Sequence, residues 1–295
     1  LEKETILYRI IKAEFIAPNV KSFLIEAPHI AKKRQAGQFV ILRVHDKGER
    51  IPITIADSNP DEGWINIIVQ GLGKTSAHLN TLETGDHLQD LVGPLGLPTH
   101  IENWGTLVCI SGGVGTAEAL PIAAAGKAAG NRVISIIGAR NKDLLIAEGQ
   151  MEEVVDEVRI STDDGSAGRH GLVTDVLKDL MDEGVTPDMI VAIGPLPMMA
   201  AVSNQTEAME IPTMVSLNAI MVDGTGMCGA CRATVGGKTV FVCVDGPEFD
   251  GHQVDFKELG MRQKMYKKQE AESHKCFLER QMKKVKAEQL AEGVG

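Results

Sequence analysis

No stretch of this sequence approaches the roughly 18 apolar residues that a bilayer-spanning helix needs. Its opening, LEKETILYRI, lacks the charged-then-apolar layout of a secretion signal. Both absences point to the cytoplasm and to no membrane partner. Basic charge is also short, with 30 Lys and Arg against 40 Asp and Glu and a formal net charge of −10. That excludes the positive surface that generic nucleic-acid binding requires. No internal repeat or low-complexity tract is evident. The eight histidines are scattered, and no Ser/His/Asp or paired-carboxylate constellation calls for side-chain acid–base chemistry. Cysteine is scarce too, yet three of the five fall within residues 228–243. In a reducing compartment such clustering indicates metal or redox work before disulfides.

With 295 residues and 43% apolar content, the chain is long enough for two compact domains and an appendage. Residues 1–98 carry short β-type runs such as FVILRV (39–44) and WINIIVQ (64–70), separated by Gly, Pro and Asp turns, which predicts a small antiparallel β-barrel. From 99 to 217 the rhythm changes. Buried-strand runs (TLVCI, RVISIIGA, EVRIST, MIVAIG) alternate with helical stretches such as AEALPIAAAGKAAG, the signature of a parallel α/β sheet. Residues 218–256 form the cysteine segment and 257–295 a charged C-terminal helical extension. Within 257–290 there are ten Lys or Arg and five Glu, with Leu278, Met282 and Val285 at helical spacing. Such a helix suits either packing on its own chain or docking to a partner. Cys109 reads as a small core residue and Cys276 as structural or incidental.

Cys228 and Cys231 form a C-x-x-C loop rich in glycine (Gly224, Gly226, Gly229), which lets backbone amides turn toward sulfurs. RATV-GG-KTVFV then reads as a hairpin with a Gly236-Gly237 turn. In that register Cys231 sits opposite Val242 and Cys243 opposite Ala230, which returns the third thiol to the first two. The spacing Asp223-x4-Cys228-x2-Cys231-x11-Cys243 is that of a plant-type 2Fe-2S site with aspartate in the first position. An Asp/Cys3-ligated 2Fe-2S cluster is the expected occupant. The competing readings make Asp223 a loop cap and leave the thiols to zinc or to no metal.

In LVCISGGVGTAEALPIA (107–123) a buried strand runs through Gly112, Gly113, Val114, Gly115 and Thr116 into a helix, which brings backbone amides onto a pyrophosphate. Two later strand ends fall beside it. One carries Asp163 and Asp164; the other carries Gly194, Pro195, Pro197 and Met198. The acidic pair favours NAD(H) over a 2′-phosphorylated nucleotide, a preference that Arg140 or Arg169 would reverse.

The segment GMCGACRATVGGKTVFVCVDGPEFDGHQVDF resembles the iron-sulfur tail of dihydroorotate dehydrogenase B electron-transfer subunits. It resembles more closely that of the small subunits of NADH-dependent ferredoxin:NADP+ oxidoreductases, a group that includes sulfide dehydrogenase subunits. Asp223 and the long tail favour the second group. Both are ferredoxin-reductase-like flavoproteins, and the resemblance implies an FAD-binding barrel followed by a nicotinamide-nucleotide domain. ERIPITIAD (49–57) looks like the flavin motif, with Arg50 near the pyrophosphate, Pro52 and Ile53 along the isoalloxazine, and Thr54 as the catalytic hydroxyl near N5. It departs from the usual pattern in having Ile51, not arginine, before the proline. Ile68, Val69 and Gln70 lead into Gly73, Lys74, Thr75 and Ser76, the second half of the flavin site, where amides, hydroxyls and a helix dipole meet a phosphate. GPLPMM resembles the loop beside the nicotinamide ring. The implied function is hydride exchange between NAD(H) and FAD with single electrons passed on through the cluster. The implied partner is a larger flavin/4Fe-4S subunit handling NADP(H), in an electron-bifurcating heterodimer that reaches ferredoxin indirectly. The alternatives are an electron-transfer subunit of dihydroorotate or sulfide dehydrogenase and, in another class, a non-catalytic zinc-stapled nucleotide-binding module.

Overall fold

The computed structural model describes residues 7–292, with side chains through Lys283. The first six residues of the opening, and the side chain of Val285, lie outside the described part.

Seven strands form the first sheet: β1 (Tyr8–Ala17), β2 (Val20–Glu26), β3 (Phe39–Arg43), β4 (Arg50–Asn59), β5 (Trp64–Gln70), β6 (His87–Leu88) and β7 (Asp90–Leu95), in the order β6-β1-β2-β5-β4-β3-β7. Only Gln89 separates β6 from β7. The segment 87–95 therefore pairs with β1 at one end and with β3 at the other, and the antiparallel sheet comes near to closing into a barrel. The cause is visible in β5, where Ile65, Ile67 and Val69 point inward and are buried while their neighbours face out, the period of two that a one-sided sheet imposes. Helix α1 (Pro28–Ala31) and helix α2 (Lys74–Leu79) flank the barrel. The buried Lys21 holds the end of α2, its Nζ donating to the Asn80 and Leu82 carbonyls (3.3 and 2.7 Å) and pairing with Glu83 at 2.8 Å.

The second sheet contains β8 (Thr106–Gly112), β9 (Arg132–Ala139), β10 (Glu157–Thr162), β11 (Arg169–His170), β12 (Met189–Ile193) and β13 (Thr213–Ser216), all parallel, in the order β11-β10-β9-β8-β12-β13. The chain goes one way from β8 and later returns to its other side, so the crevice at the carboxyl ends of β8 and β12 is a topological switch point. β8 is buried over Leu107–Gly112, as a central strand covered on both faces must be. Helices α3 (Gly115–Ala128), α4 (Glu148–Val154), α5 (Val173–Asp182) and α6 (Leu196–Glu207) cover the sheet. α3 also packs against β4 of the barrel.

After Ser216 the chain leaves the sheet, makes the cysteine loop and forms a hairpin of β14 (Arg232–Val235) and β15 (Lys238–Phe241). It passes through the short helix α7 (Val242–Asp245) and returns as β16 (Glu248–Asp250), which pairs antiparallel with β13. The cysteine segment is thus stitched to the α/β sheet at both ends, a pairing that its sequence does not announce. Helix α8 (Phe256–Gln263) packs on β14 and α6, while helix α9 (Lys267–Glu292) lies against α2. The barrel and parallel α/β sheet match the expected fold class, and the tail is a helix pair.

Candidate functional site

Gly236 and Gly237 take φ of 56° and 72°, the left-handed conformation that a two-residue hairpin turn demands. Arg232 pairs with Phe241 and Ala233 with Val240, and the Val242 amide donates to the Cys231 carbonyl at 3.2 Å, which continues the register predicted from sequence. Cys231 and Cys243 are buried, with sulfurs 3.3 Å apart. Burial and the neighbouring Cys231 thiol push the Cys243 thiol up to about 12, and the Gly226 amide, bonded to it, opposes that rise. Cys228 is exposed on the loop. Asp223 accepts the Thr225 amide at 2.9 Å and the Cys228 amide at 3.1 Å, and these bonds, Thr225 first, hold its carboxyl below the usual range. Asp223 therefore caps the loop, as one of the competing readings expected. Each carboxylate oxygen keeps a further lone pair, so the cap and a metal bond are compatible.

This donor set fits a binuclear cluster. Cys231 and Cys243 form one pair, the Asp223 carboxylate sits on the Cys228 amide, and the positive φ of Gly224, Gly226 and Gly229 (76°, 80° and 64°) lets the loop curl around them. A Cβ on Gly224 would lie 2.7 Å from Leu95 and 2.8 Å from Ile41, so the loop is seated directly on barrel strands β3 and β7. Among the described residues no three His, Cys, Asp or Glu side chains converge on one ion.

A cavity of about 540 Å³ opens at the switch point. It brings together Gly112, Gly113 and Val114 with Asp163, Pro195, Pro197 and Met198, and the barrel adds Gln70. Other residues of these motifs build the cavity rather than line it. Thr116 Oγ1 bonds to the Gly113 carbonyl (3.0 Å) and to Ser111 (3.1 Å), fixing the turn. A Cβ on Gly115 would stand 2.5 Å from the Ile193 carbonyl oxygen, and one on Gly194 would stand 2.9 Å from Met198, so both glycines allow close packing. Asp164 caps the next turn through Ser166. Arg140 lines the cavity, whereas Arg169 is held by Asp175 and Asp179.

In β4 the alternation assigns roles. Ile51, Ile53 and Ile55 pack toward the barrel core, while Arg50, Pro52 and Thr54 share the outward face. An arginine two positions before the proline thus points the same way as the proline and threonine, which accounts for Ile51 in the intervening place. Ile53 offers the outward face chiefly its backbone, and so does Val69, whose side chain is in the barrel core; Ile68 packs with Val20 and Ala117. A cavity of about 160 Å³ is lined by Pro52, Ile53 and Thr54, by Glu118 of α3, by Ser216, and by residues 217–219 and Met221 of the irregular segment leading to the cysteines. Glu118 accepts from Thr54 Oγ1 at 3.2 Å and, through its other oxygen, from Ser216. Burial raises its pKa, and the Ser216 and Thr54 bonds oppose that rise. Nearby Glu248, bonded to Thr99 at 2.7 Å, is pushed up to about 8 by burial, with Glu118 adding to the rise and the Thr99 bond opposing it. Sequence reading missed both carboxylates. The available signal was one acidic residue within the buried small-residue face of AEALPIAAAG.

A third cavity, of about 800 Å³, is lined by Gly73, Lys74, Thr75 and Ser76 together with Glu49, Ile51 and residues of α9. Thr75 donates to Glu49, and Lys74 lies 3.9 Å from the same carboxylate. Ser76 Oγ accepts the Leu72 and Gly73 amides at 3.0 Å each. With α2 only six residues long, hydroxyls and Lys74 carry more of any anion binding here than a helix dipole does.

Residues 218–255 match the iron-sulfur cluster binding domain of dihydroorotate dehydrogenase B. The chain is 47% identical over 274 residues, 93% of its length and 96% of the relative's, to a dihydroorotate dehydrogenase B (NAD(+)) electron transfer subunit homolog of Thermotoga maritima. It superposes with a TM-score of 0.88 and 46% identity, covering 94% of this chain and 99% of the other, on a chain from the NADH-dependent reduced ferredoxin-NADP oxidoreductase structure, which bears on flavin-based electron bifurcation. A ferredoxin reductase of carbazole 1,9a-dioxygenase shares the fold at 18% identity and a TM-score of 0.60, over 70% of this chain and 65% of that one. The chain therefore belongs to the family of dihydroorotate dehydrogenase B electron-transfer subunits and their homologues, built on the ferredoxin-reductase-like fold.

Proposed function

We propose that this subunit exchanges hydride between NAD(H) and FAD and passes single electrons onward through a 2Fe-2S cluster, as part of an electron-bifurcating NADH-dependent ferredoxin:NADP+ oxidoreductase. Bound FAD would supply the two-electron step and the cluster the one-electron steps. One observation carries the reading: the cavity at Thr54 is walled on one side by Glu118 of α3 and Ser216 of β13 and on another by the segment entering the cysteine loop. The flavin motif, the α/β layer and the segment that leads to the thiols thus meet around one small space.

In this division of labour residues 1–98 hold FAD, 99–217 hold NAD(H), 218–256 hold the cluster and 257–295 form the extension. In this reading Thr54 hydrogen-bonds the reacting edge of the flavin, and Glu118, itself held by Ser216, fixes its hydroxyl. Arg50, Lys74, Thr75 and Ser76 take the phosphates, so Glu49 must yield Thr75 and Lys74 when they arrive. Gly112 to Val114 present backbone to the dinucleotide, Asp163 its ribose, and Pro195, Pro197 and Met198 the nicotinamide. Asp223, Cys228, Cys231 and Cys243 hold the two irons in donor pairs. The family match at 218–255 to an iron-sulfur cluster binding domain favours the cluster over a single zinc ion.

The neighbour of 46% identity, a chain of an NADH-dependent reduced ferredoxin-NADP oxidoreductase, supports such a complex as the setting, and the partner in this reading is a larger flavin/4Fe-4S subunit that handles NADP(H). The match to the dihydroorotate dehydrogenase B domain favours a second reading, in which the partner is that dehydrogenase. Purifying the native complex separates them: subunits and cofactors of an NADP(H)-linked 4Fe-4S flavoprotein bear out the first reading, and a dihydroorotate-oxidising partner the second. In the isolated chain NADH is expected to bind about tenfold tighter than NADPH, and Asp163→Ser to narrow that gap. Titration showing NADPH as the tighter ligand would reverse the assignment.

A further inference from the structure

We propose that α9 is the outer wall of the flavin site, and that one stripe of it, from Ala271 to Met282, closes over the adenylyl half of the dinucleotide in the cavity it shares with residues 72–76. The inference rests on the flavin reading above. β4 runs from this cavity, which Ile51 lines, to the small cavity at Pro52–Thr54. At about 3.3 Å per residue, Glu49 to Thr54 spans about 16 Å, room for an isoalloxazine at one end and a phosphate at the other. A mononucleotide would end at Lys74 and Thr75. The further nucleoside of FAD then extends into the remaining space, and at about 800 Å³ the cavity is large enough for it.

The lining has the chemistry of that group. Leu72, Leu278 and Met282 are exposed at 71%, 44% and 58%, and all three face this one cavity as an apolar clamp. Ala271, His274, Lys275, Leu278 and Met282 recur at helical spacing, so one stripe of α9 lines the space. His274 Nδ1 on this wall is a buried polar atom with no hydrogen-bond partner among the described residues. Charge is balanced, with Lys74, Lys267 and Lys275 against Glu49, Glu270 and Glu279, so the cavity does not favour a highly charged polyanion over a dinucleotide. The helix is seated by Phe277, whose ring lies 5.6 Å from His78 of α2, itself 5.3 Å from His45. Burial, then His45 and Lys74, lower the pKa of His78.

The test is titration of the full-length chain, with its cluster, by FAD and by FMN, followed by flavin fluorescence, in the native protein and in Leu278→Glu, His274→Ala and Phe277→Ser. Native protein is expected to bind FAD at least about tenfold tighter than FMN. Leu278→Glu and Phe277→Ser should weaken FAD about tenfold and FMN less than about twofold, with iron content unchanged. Variants that keep native FAD affinity overturn the proposal while leaving the flavin reading standing. Equal weakening of FAD and FMN overturns it too, since α9 would then not touch the adenylyl half. A native chain that binds neither flavin overturns both.

Discussion

Asp223 accepts two backbone amides and still has lone pairs directed elsewhere, so loop cap and metal ligand are separable by substitution. Asp223→Asn keeps an acceptor oxygen but removes the anionic one; Asp223→Cys restores an anionic donor at the cost of the cap. If the residue is a ligand, Asp223→Cys retains iron and acid-labile sulfide while Asp223→Asn falls below about half of native content. The reverse order would make it a cap alone. A second residue-scale consequence concerns Glu248, whose pKa burial raises to about 8. A group with a raised folded-state pKa contributes stability that is complete below its unfolded pKa and is lost as pH rises through the folded one. Between about pH 4.5 and 8 the native protein should therefore lose stability relative to Glu248→Gln, by at most about 1.4 kcal/mol per pH unit, read from urea midpoints across that range. Parallel pH profiles would show that Glu248 is ionised throughout.

Among the elements, the turn into α3 is the most constrained, because a Cβ on Gly115 would reach 2.5 Å from the Ile193 carbonyl. Gly115→Ala must push α3 from β12; a loss of about 1–3 kcal/mol in stability and weaker NADH binding are expected, and denaturation with nucleotide titration checks both. Unchanged values for both would mean that the turn has slack. At this scale much was legible in the sequence. WINIIVQ became β5 residue for residue because a one-sided strand writes its burial as alternation, and the Gly236-Gly237 turn fixed the hairpin register because only one tight turn suits it. What stayed hidden depends on partners distant along the chain. Nothing local to AEALPIAAAG reveals that Glu118 will meet Thr54, 64 positions away, or Ser216, 98 positions away. The return of β16 to β13 is hidden for the same reason, since EFD is too short to show a period. The site motifs were readable because each places its turn glycines and hydroxyls locally. Their sorting into lining and supporting residues, such as Thr116 beneath the Gly113 turn, required the packed structure.

Across the whole molecule, one apolar cluster runs from Phe39 and Ile41 of the barrel through β8, β9 and β12 to Cys231 and Cys243. The barrel, the sheet and the cysteine loop therefore share a core and hold one another in place around the Thr54 cavity, as electron transfer between fixed centres requires. The described residues contain no helix long and apolar enough to cross a membrane. The central claim is that electrons from NADH reach the cysteine loop only by way of a flavin at Thr54. The most direct measurement is the paramagnetic resonance signal of the reduced cluster after anaerobic addition of NADH to flavin-loaded and flavin-stripped protein. The account predicts that the signal appears in the loaded protein and is absent, or at least about a hundredfold slower, in the stripped one. Equal reduction in both, or none in the loaded protein, would contradict it.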